Sequence, residues 1–209
     1  MSVAIIKYNA GNIQSVLFAL ERIGVEGIVT DDQEQIRNAD KVIFPGVGEA
    51  GSAMAYLRER KLDEVIRTLQ QPVLGICLGM QLLCKHSEEN NTVCLGIVPV
   101  NVKKFQAGKL ESISGGTQTL KVPQIGWNSI YDLRSPLFKE IGENSYIYNV
   151  HSYYAEDSEY TIAKCNYGVE YAAAVQKDNF YGVQFHTEKS ATAGELILKN
   201  FLWMPVIRR

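Results

Sequence analysis

The stretch Val73-Leu74-Gly75-Ile76-Cys77-Leu78-Gly79-Met80-Gln81 decides how the rest of the chain is read. Its first four residues form an apolar run of the kind that makes a strand buried on both faces. Gly-x-Cys-x-Gly follows, and beyond it Leu78, Gln81, Leu82 and Lys85 continue at helical spacing. Strand, tight corner and helix together make a nucleophile elbow, where the flanking glycines remove side-chain clashes and the Cys77 thiol stands at a helix N-terminus. That position favours thiolate over thiol and offers unpaired N–H groups to an oxyanion. A small core residue beside two packing glycines is the default description of a free cysteine. The motif therefore gains meaning only if the chain also supplies a base, a group to orient it and a substrate site.

Upstream of the elbow, Val3-Ala4-Ile5-Ile6 reads as a buried strand and Tyr8-Asn9-Ala10-Gly11-Asn12 as a turn. Ile13, Val16, Leu17, Leu20 and Ile23 then fall at helical spacing, with Asn12 as N-cap and Gly24 as stop. Residues 27–30 form a second strand, 33–38 a short helix and 41–44 a third strand. A further helix is expected from Ala50 to about Gln70. The alternation predicts an α/β fold, an open, mostly parallel, doubly wound sheet flanked by helices, with ligands beyond the carboxyl ends of the strands. The third strand ends in Pro45-Gly46-Val47-Gly48, where Gly46 and Gly48 let the backbone approach a ligand and turn N–H groups outward. In a doubly wound sheet this strand lies beside 73–76, which makes 46–48 a candidate oxyanion loop near Cys77.

Downstream, Cys84 lies about two turns past Cys77 and reads as packing. His86 is assigned to the surface at the far end of that helix, and Ser87 to Asn91 to a solvated turn. From Leu95 to about Tyr131 the pattern changes to short alternating segments: Val98 to Phe105, a loop at Ser112 to Thr117, and Gln124-Ile125-Gly126-Trp127-Asn128. These read as β-hairpin strands appended to the parallel sheet. Trp127 is equally suited to a core anchor or an exposed aromatic for a partner. Ser145 to Tyr154, Tyr160 to Cys165, Ala172 to Gln176 and Phe180 to Phe185 read as strands, and Ala193 to Trp203 as a closing helix.

The 209 residues are enough for one sizeable core, and no Pro-, Gly- or Ser-rich stretch marks a linker, so residues 1–209 are read as a single domain. A formal net charge of -2 gives no basis for nucleic acid or an anionic membrane as partner. The apolar part of the N-terminus is too short for a signal peptide and no later run reaches a membrane span, which predicts a cytoplasmic protein. Four cysteines without C-x-x-C pairing and only three histidines predict no disulfide framework, metal or cofactor.

The base is found near the end. Phe180 to Phe185 leads into His186-Thr187-Glu188, and residues i and i+2 of a continuing strand share a face. A carboxylate there can hold the imidazole in one tautomer and stabilise its cation, the base and orienter of a triad with Cys77 as nucleophile. His151 ranks second as base, because Asn149 and Tyr153 occupy its i±2 positions.

With Gly75 to Gln81 and Gly182-Val183-Gln184-Phe185-His186-Thr187-Glu188 in hand, the chain resembles the class I, triad-type glutamine amidotransferases. The Tyr8 to Asn12, Pro45 to Gly48, Gly126-Trp127-Asn128, Val150-His151-Ser152-Tyr153 and Glu188-Lys189-Ser190 segments are similar to members acting in histidine biosynthesis. The resemblance covers essentially the whole chain. It implies that Cys77, His186 and Glu188 hydrolyse glutamine to glutamate and ammonia through a γ-glutamyl thioester. It implies that the backbone N–H groups of Leu78 and Val47 receive the oxyanion. Gln81 and Glu89 would hold the amino-acid end of the substrate, with Gly46, Gly48, Ser152 and Tyr153 nearby. It further implies a heterodimer with a (β/α)8-barrel cyclase that takes up the ammonia, with Asn12, Trp127, Tyr148 and Lys189 at the interface. Thr187 stands where the family usually has proline, and Gln124-Ile125 where it commonly has His-Met. Two other readings stay open here: a paralogous amidotransferase serving sugar-nucleotide amidation for surface polysaccharide, and a non-catalytic regulatory subunit.

Overall fold

A computed structural model describes residues 1–8, 11–111 and 117–205 of the chain. Asn9 and Ala10 of the first turn, and Ser112 to Gly116 of the loop expected after the elbow, lie outside the described residues. Strands Val3–Ile6 (β1), Gly27–Thr30 (β2), Lys41–Phe44 (β3) and Val73–Ile76 (β4) pair in parallel in the order β2-β1-β3-β4. The edge strand β2 is partly exposed, whereas β1, β3 and β4 are buried throughout, as their near-continuous Val, Ile, Leu and Phe content requires.

Among the described residues the α-helices are Ile13–Ile23 (α1), Gln33–Asn38 (α2), Ala50–Glu59 (α3), Leu62–Arg67 (α4), Leu78–Leu83 (α5) and Ala191–Trp203 (α6). Successive strand residues feed opposite faces of the sheet. Ala4, Ile6, Val42, Phe44 and Val73 pack with Ile36 of α2, Met54 and Leu57 of α3, and Val65 and Ile66 of α4. Val3, Ile5, Ile43, Leu74 and Ile76 pack on the other side with Val16 and Leu20 of α1 and with Ile197, Leu198 and Phe201 of α6. Each fully buried Ile, Leu or Phe contributes roughly 1.5–3 kcal/mol of transfer free energy.

The remaining strands are His86–Ser87 (β5), Thr92–Val93 (β6), Asn101–Lys104 (β7), Gly108–Glu111 (β8), Thr117–Leu120 (β9), Gln124–Ile130 (β10), Ser145–His151 (β11), Tyr153–Ala155 (β12), Thr161–Asn166 (β13), Glu170–Lys177 (β14) and Phe180–Val183 (β15). Among the described residues the main sheet has eleven strands and continues β4-β15-β14-β12-β7-β5-β6, with β13 beside β14. The β10–β11 pair forms a separate two-stranded ribbon, and β8–β9 a hairpin. The fold class is the expected one: a mostly parallel sheet flanked by helices with antiparallel strands added. No described helix is long and apolar enough to cross a membrane.

Several element boundaries differ from the sequence reading, and His86 and Ser87, read as a helix end and a solvated turn, form β5 with Ser87 fully buried. The helix expected over 50–70 is two helices, because Lys61 takes a left-handed φ of 55° and the N–H groups of Arg60 and Lys61 close back on Tyr56 and Arg58. The helix after the elbow ends at Leu83 and excludes Lys85. There the carbonyls of Leu82, Leu83 and Cys84 are taken by the N–H groups of Leu95, Val98 and Gly96 at 2.9, 2.9 and 2.8 Å. The strand expected over 145–154 is broken at Ser152, since β11 pairs with β10 whereas β12 turns away to pair with β7 and β14.

Candidate active site

Cys77 sits between β4 and α5 with φ 53° and ψ −108°, a conformation that costs a non-glycine residue on the order of 1–3 kcal/mol. Hydrogen bonds over-determine it: the Cys77 N–H donates to Val183 O of β15 at 2.8 Å, and its carbonyl accepts from Gln81 N–H at 3.2 Å. Backbone contact makes the corner tight. A Cβ added at Gly79 would lie 1.7 Å from Phe44 O, so α5 rests directly on the end of β3. A Cβ at Gly46 would lie 1.8 Å from the Tyr8 hydroxyl, which itself donates to Pro45 O at 2.5 Å. Tyr8 thus forms the floor under the 46–48 loop.

His186 and Glu188 come together, by a route other than a continued strand. β15 ends at Val183, and Thr187–Lys189 form a 3-10 turn that swings the carboxylate back so that His186 Nδ1 meets Glu188 Oε1 at 2.7 Å. Both side chains are almost wholly buried, 2% and 1% exposed. Burial alone would lower the His186 pKa, but hydrogen bonds to Cys77 and Glu188, with their negative charges, raise it to about 10. Nδ1 is held by the carboxylate, so Nε2 serves the sulphur, and the imidazole is held in its cationic form. Asn12 does not cap α1. It takes φ 72°, makes no side-chain cap bond, and donates its Nδ2 to Glu188 Oε1 instead.

A cleft of about 270 Å³ opens over the sulphur, lined by Val47, Gly48, Cys77, Leu78, Gln81, Glu89, Pro123, Val150, His151, Ser152 and Tyr153. It gathers most of the residues expected at the substrate from stretches far apart in the chain. Gln81 Nε2 donates to Tyr153 O at 2.9 Å and to Gln184 Oε1 at 3.0 Å, and Gln184 Nε2 donates to Cys77 Sγ at 3.7 Å. Glu89 Oε2 accepts from Ala50 N–H at 2.7 Å, and burial raises its pKa from the ordinary value. Gly46 lies behind the wall. Its carbonyl accepts the Leu78 N–H at 3.2 Å, so one of the two donors expected for an oxyanion is engaged within the protein.

A family model described as glutamine amidotransferase class-I matches residues 4–204. The chain is a class-I glutamine amidotransferase. It is 55% identical over 202 residues to imidazole glycerol phosphate synthase subunit HisH of Bacteroides fragilis, covering 97% of this chain and 99% of that one. The Haemophilus influenzae protein of the same name is 45% identical, covering 97% of each. A crystal structure of a glutamine amidotransferase superposes with TM-score 0.72 at 16% identity over 97% of each chain. Another, from Thermotoga maritima, gives 0.64 at 16% identity over 97% of this chain and 96% of that one.

In this amidotransferase His151, the second-ranked base, lies in the cleft wall with its chemistry blocked. Its Nδ1 donates to Tyr153 O at 2.8 Å, and Tyr171 Oη lies 3.4 Å from Nε2. Burial, helped by the charge of His186, outweighs the Tyr153 bond and lowers its pKa to about 4, so it stays neutral. Between pH 6.5 and 4 the unfolded chain therefore binds a proton that the native state refuses, and stability falls as pH drops through that window. Urea unfolding is expected to show His151→Gln escaping about 3 kcal/mol of that acid-side loss. Parallel pH slopes for the two proteins would refute it.

The other three thiols of the amidotransferase are buried, and burial raises the pKa of Cys84 from its usual value and those of Cys94 and Cys165 to about 11. On the ribbon, Trp127 stands opposite Tyr148 and Ile125 opposite Val150, which puts these side chains on one face. Trp127 is 52% exposed and stacks edge-on against Tyr148 at 5.7 Å. It is a surface aromatic. Ile125 and Tyr146 extend the patch, and on its far side the Val150 carbonyl lies 3.8 Å from Cys77 Sγ. Sequence reasoning missed Pro123, Val150 and Gln184; Gln184 carried a signal in its place two residues before His186, directly after the strand beside the elbow.

Proposed function

We propose that this chain is the glutaminase subunit of an imidazole glycerol phosphate synthase, a single-domain cytoplasmic enzyme that hydrolyses glutamine and passes the ammonia to a (β/α)8-barrel cyclase. The observation that carries the chemistry is the buried constellation of a strained Cys77 with His186 held at 2.7 Å by Glu188, opening on a small cleft. The Cys77 sulphur attacks the side-chain amide carbon of glutamine. As the C–N bond breaks, His186 gives its proton to the departing nitrogen, leaving a γ-glutamyl thioester and ammonia. Water then gives a proton to His186 and attacks the thioester, and glutamate leaves as sulphur recovers its electron pair. Glu89 and Gln81 line the cleft where an α-ammonium group needs acceptors.

The oxyanion of each addition needs donors, and Val47 and Leu78 are the residues assigned to it. Leu78 N–H becomes available when the Gly46 carbonyl turns away, so the resting arrangement holds turnover down. A barrel subunit docking on Trp127, Tyr148, Asn12 and Lys189 would act close to this machinery. β11 carries Tyr148 on the exposed face and the Val150 carbonyl against the sulphur, and Asn12 touches the triad carboxylate. Ammonia released at Cys77 would then cross only the thickness of the ribbon to reach the partner.

The deciding experiment follows glutamate release by the chain alone and with a barrel cyclase and its nucleotide ligand. Little turnover alone and a rise of at least about a hundredfold in the complex are expected, matching release of one oxyanion donor. No glutamate with any barrel partner would reject the reading. Trp127→Ala should weaken association by about 2 kcal/mol or more, roughly thirtyfold in Kd, without altering the circular dichroism spectrum. An unchanged affinity in titration would remove Trp127 from the interface.

A further inference from the structure

We propose that Gln184 belongs to the reacting centre: its side-chain amide donates an N–H to the Cys77 sulphur, and Gln81 holds it in that direction, giving the thiolate a second fixed partner besides His186. The proposal rests on the reading of Cys77 as the nucleophile. Gln184 is completely buried, follows β15 directly, and its backbone N–H is fixed to Ala173 O of β14 at 2.8 Å. The direction of its amide follows from a chain of necessity. Tyr153 O is a backbone carbonyl and can only accept, so the Gln81 NH2 group must face it, at 2.9 Å. The second Gln81 N–H then meets an oxygen of Gln184 at 3.0 Å, which turns the Gln184 NH2 group to the sulphur at 3.7 Å.

A buried sulphur anion gains more from a directed N–H than a neutral thiol does. The same bond serves two steps. Before attack it enlarges the thiolate fraction and fixes where the sulphur points. In thioester hydrolysis the S–C bond breaks with its electron pair going to sulphur, and the donor stabilises that leaving group while His186 holds the proton taken from water. His151 of β11, held neutral by burial, and Glu89 line the cleft over the sulphur, and further titratable groups come from three more places. His186 is backed by Glu188, Tyr8 follows β1, and Tyr171 of β14 contacts His151. Burial and the thiolate both raise the two phenols, so they stay neutral and leave His186 and Gln184 to answer the charge.

The test is the pH profile of Cys77 alkylation by iodoacetamide in the full chain, read at that residue by mass spectrometry. It is paired with glutamine turnover in the presence of the barrel subunit. Gln184→Met keeps the length and removes the donor. Its alkylation midpoint is expected to rise by about one pH unit, a tenfold smaller thiolate fraction below the midpoint. Its kcat should fall about tenfold, with the KM for glutamine within about twofold. Gln184→Glu, isosteric with the wild type, should move the midpoint further in the same direction. An unchanged midpoint in folded Gln184→Met overturns the proposal and leaves Gln184 a tie between strands. If that variant does not fold, an unchanged or lowered midpoint in Gln184→Glu overturns it equally. Failure of the underlying reading shows separately, as a wild-type chain that releases no glutamate with its partner.

Discussion

Replacing Cys77 by alanine is expected to lower glutamine hydrolysis by at least about a thousandfold and to leave the fold standing. The sulphur is the group positioned against His186, and the other three thiols cannot substitute. Cys84 and Cys94 pack in the core on one face of the sheet and Cys165 in the core on the other, all with raised pKa values. Alanine keeps the Cβ and therefore the same left-handed backbone at φ 53°, so the elbow is no more strained than before. The melting temperature should stay within a few degrees of wild type, as a loss of about 1 kcal/mol would give. Without the sulphur, His186 also loses one of the two groups that raise its pKa, and its NMR titration midpoint should fall. Glutamate release above a tenth of wild type would remove Cys77 from the reaction.

A single methyl group two residues away should do the opposite, harming the fold before the chemistry. Gly79→Ala places a carbon 1.7 Å from Phe44 O and 2.8 Å from Phe44 C, both backbone atoms at the end of β3 that no rotamer change can move. α5 would have to lift off the strand, taking the elbow and the 46–48 loop with it. The expected loss in urea unfolding is at least about 3 kcal/mol, enough to leave much of the protein insoluble. Gly142→Ala is the matched control, since an added Cβ there meets nothing within 4 Å, and it should change stability by less than about 0.5 kcal/mol. Equal melting of the two variants would show that the close approach at Gly79 is not a constraint.

The parts legible in sequence are those decided by local pattern. The β-branched runs of β1, β3 and β4, the helical spacing of α1 and the two glycines around Cys77 each carry their own signal within about ten residues. The pairing of β3 with β4 follows from the rules of parallel sheets. What escapes depends on partners far away in the chain. Asn12 looks like a cap by residue type, but a carboxylate 176 residues later takes its amide. The His186–Glu188 pair shows itself in sequence as a two-residue alternation, although a 3-10 turn makes it. The end of α5 depends on N–H groups from Leu95 to Val98, and the Gln81–Gln184 bond joins residues 103 apart. The Leu78 N–H is engaged because of how the 46–48 loop settles, which no residue type announces.

The position of β15 also sets a schedule. This strand lies between β4 and β14 and pairs in parallel with β4, Phe180 opposite Val73 and Val183 opposite Ile76. Cys77 leaves the ribosome with its strand and its corner, but Gln184 follows it by 107 residues and His186 comes after that. At 5–20 residues per second the nascent chain carries Cys77 for roughly 5 to 20 seconds before Gln184 and His186 have been synthesised. Because β15 must insert beside a strand made early, it closes the sheet late, as pairings of long sequence separation do. On the proposed reading of Cys77, inserting that strand is what brings Gln184 and His186 to the sulphur, so the site is assembled only when the sheet closes.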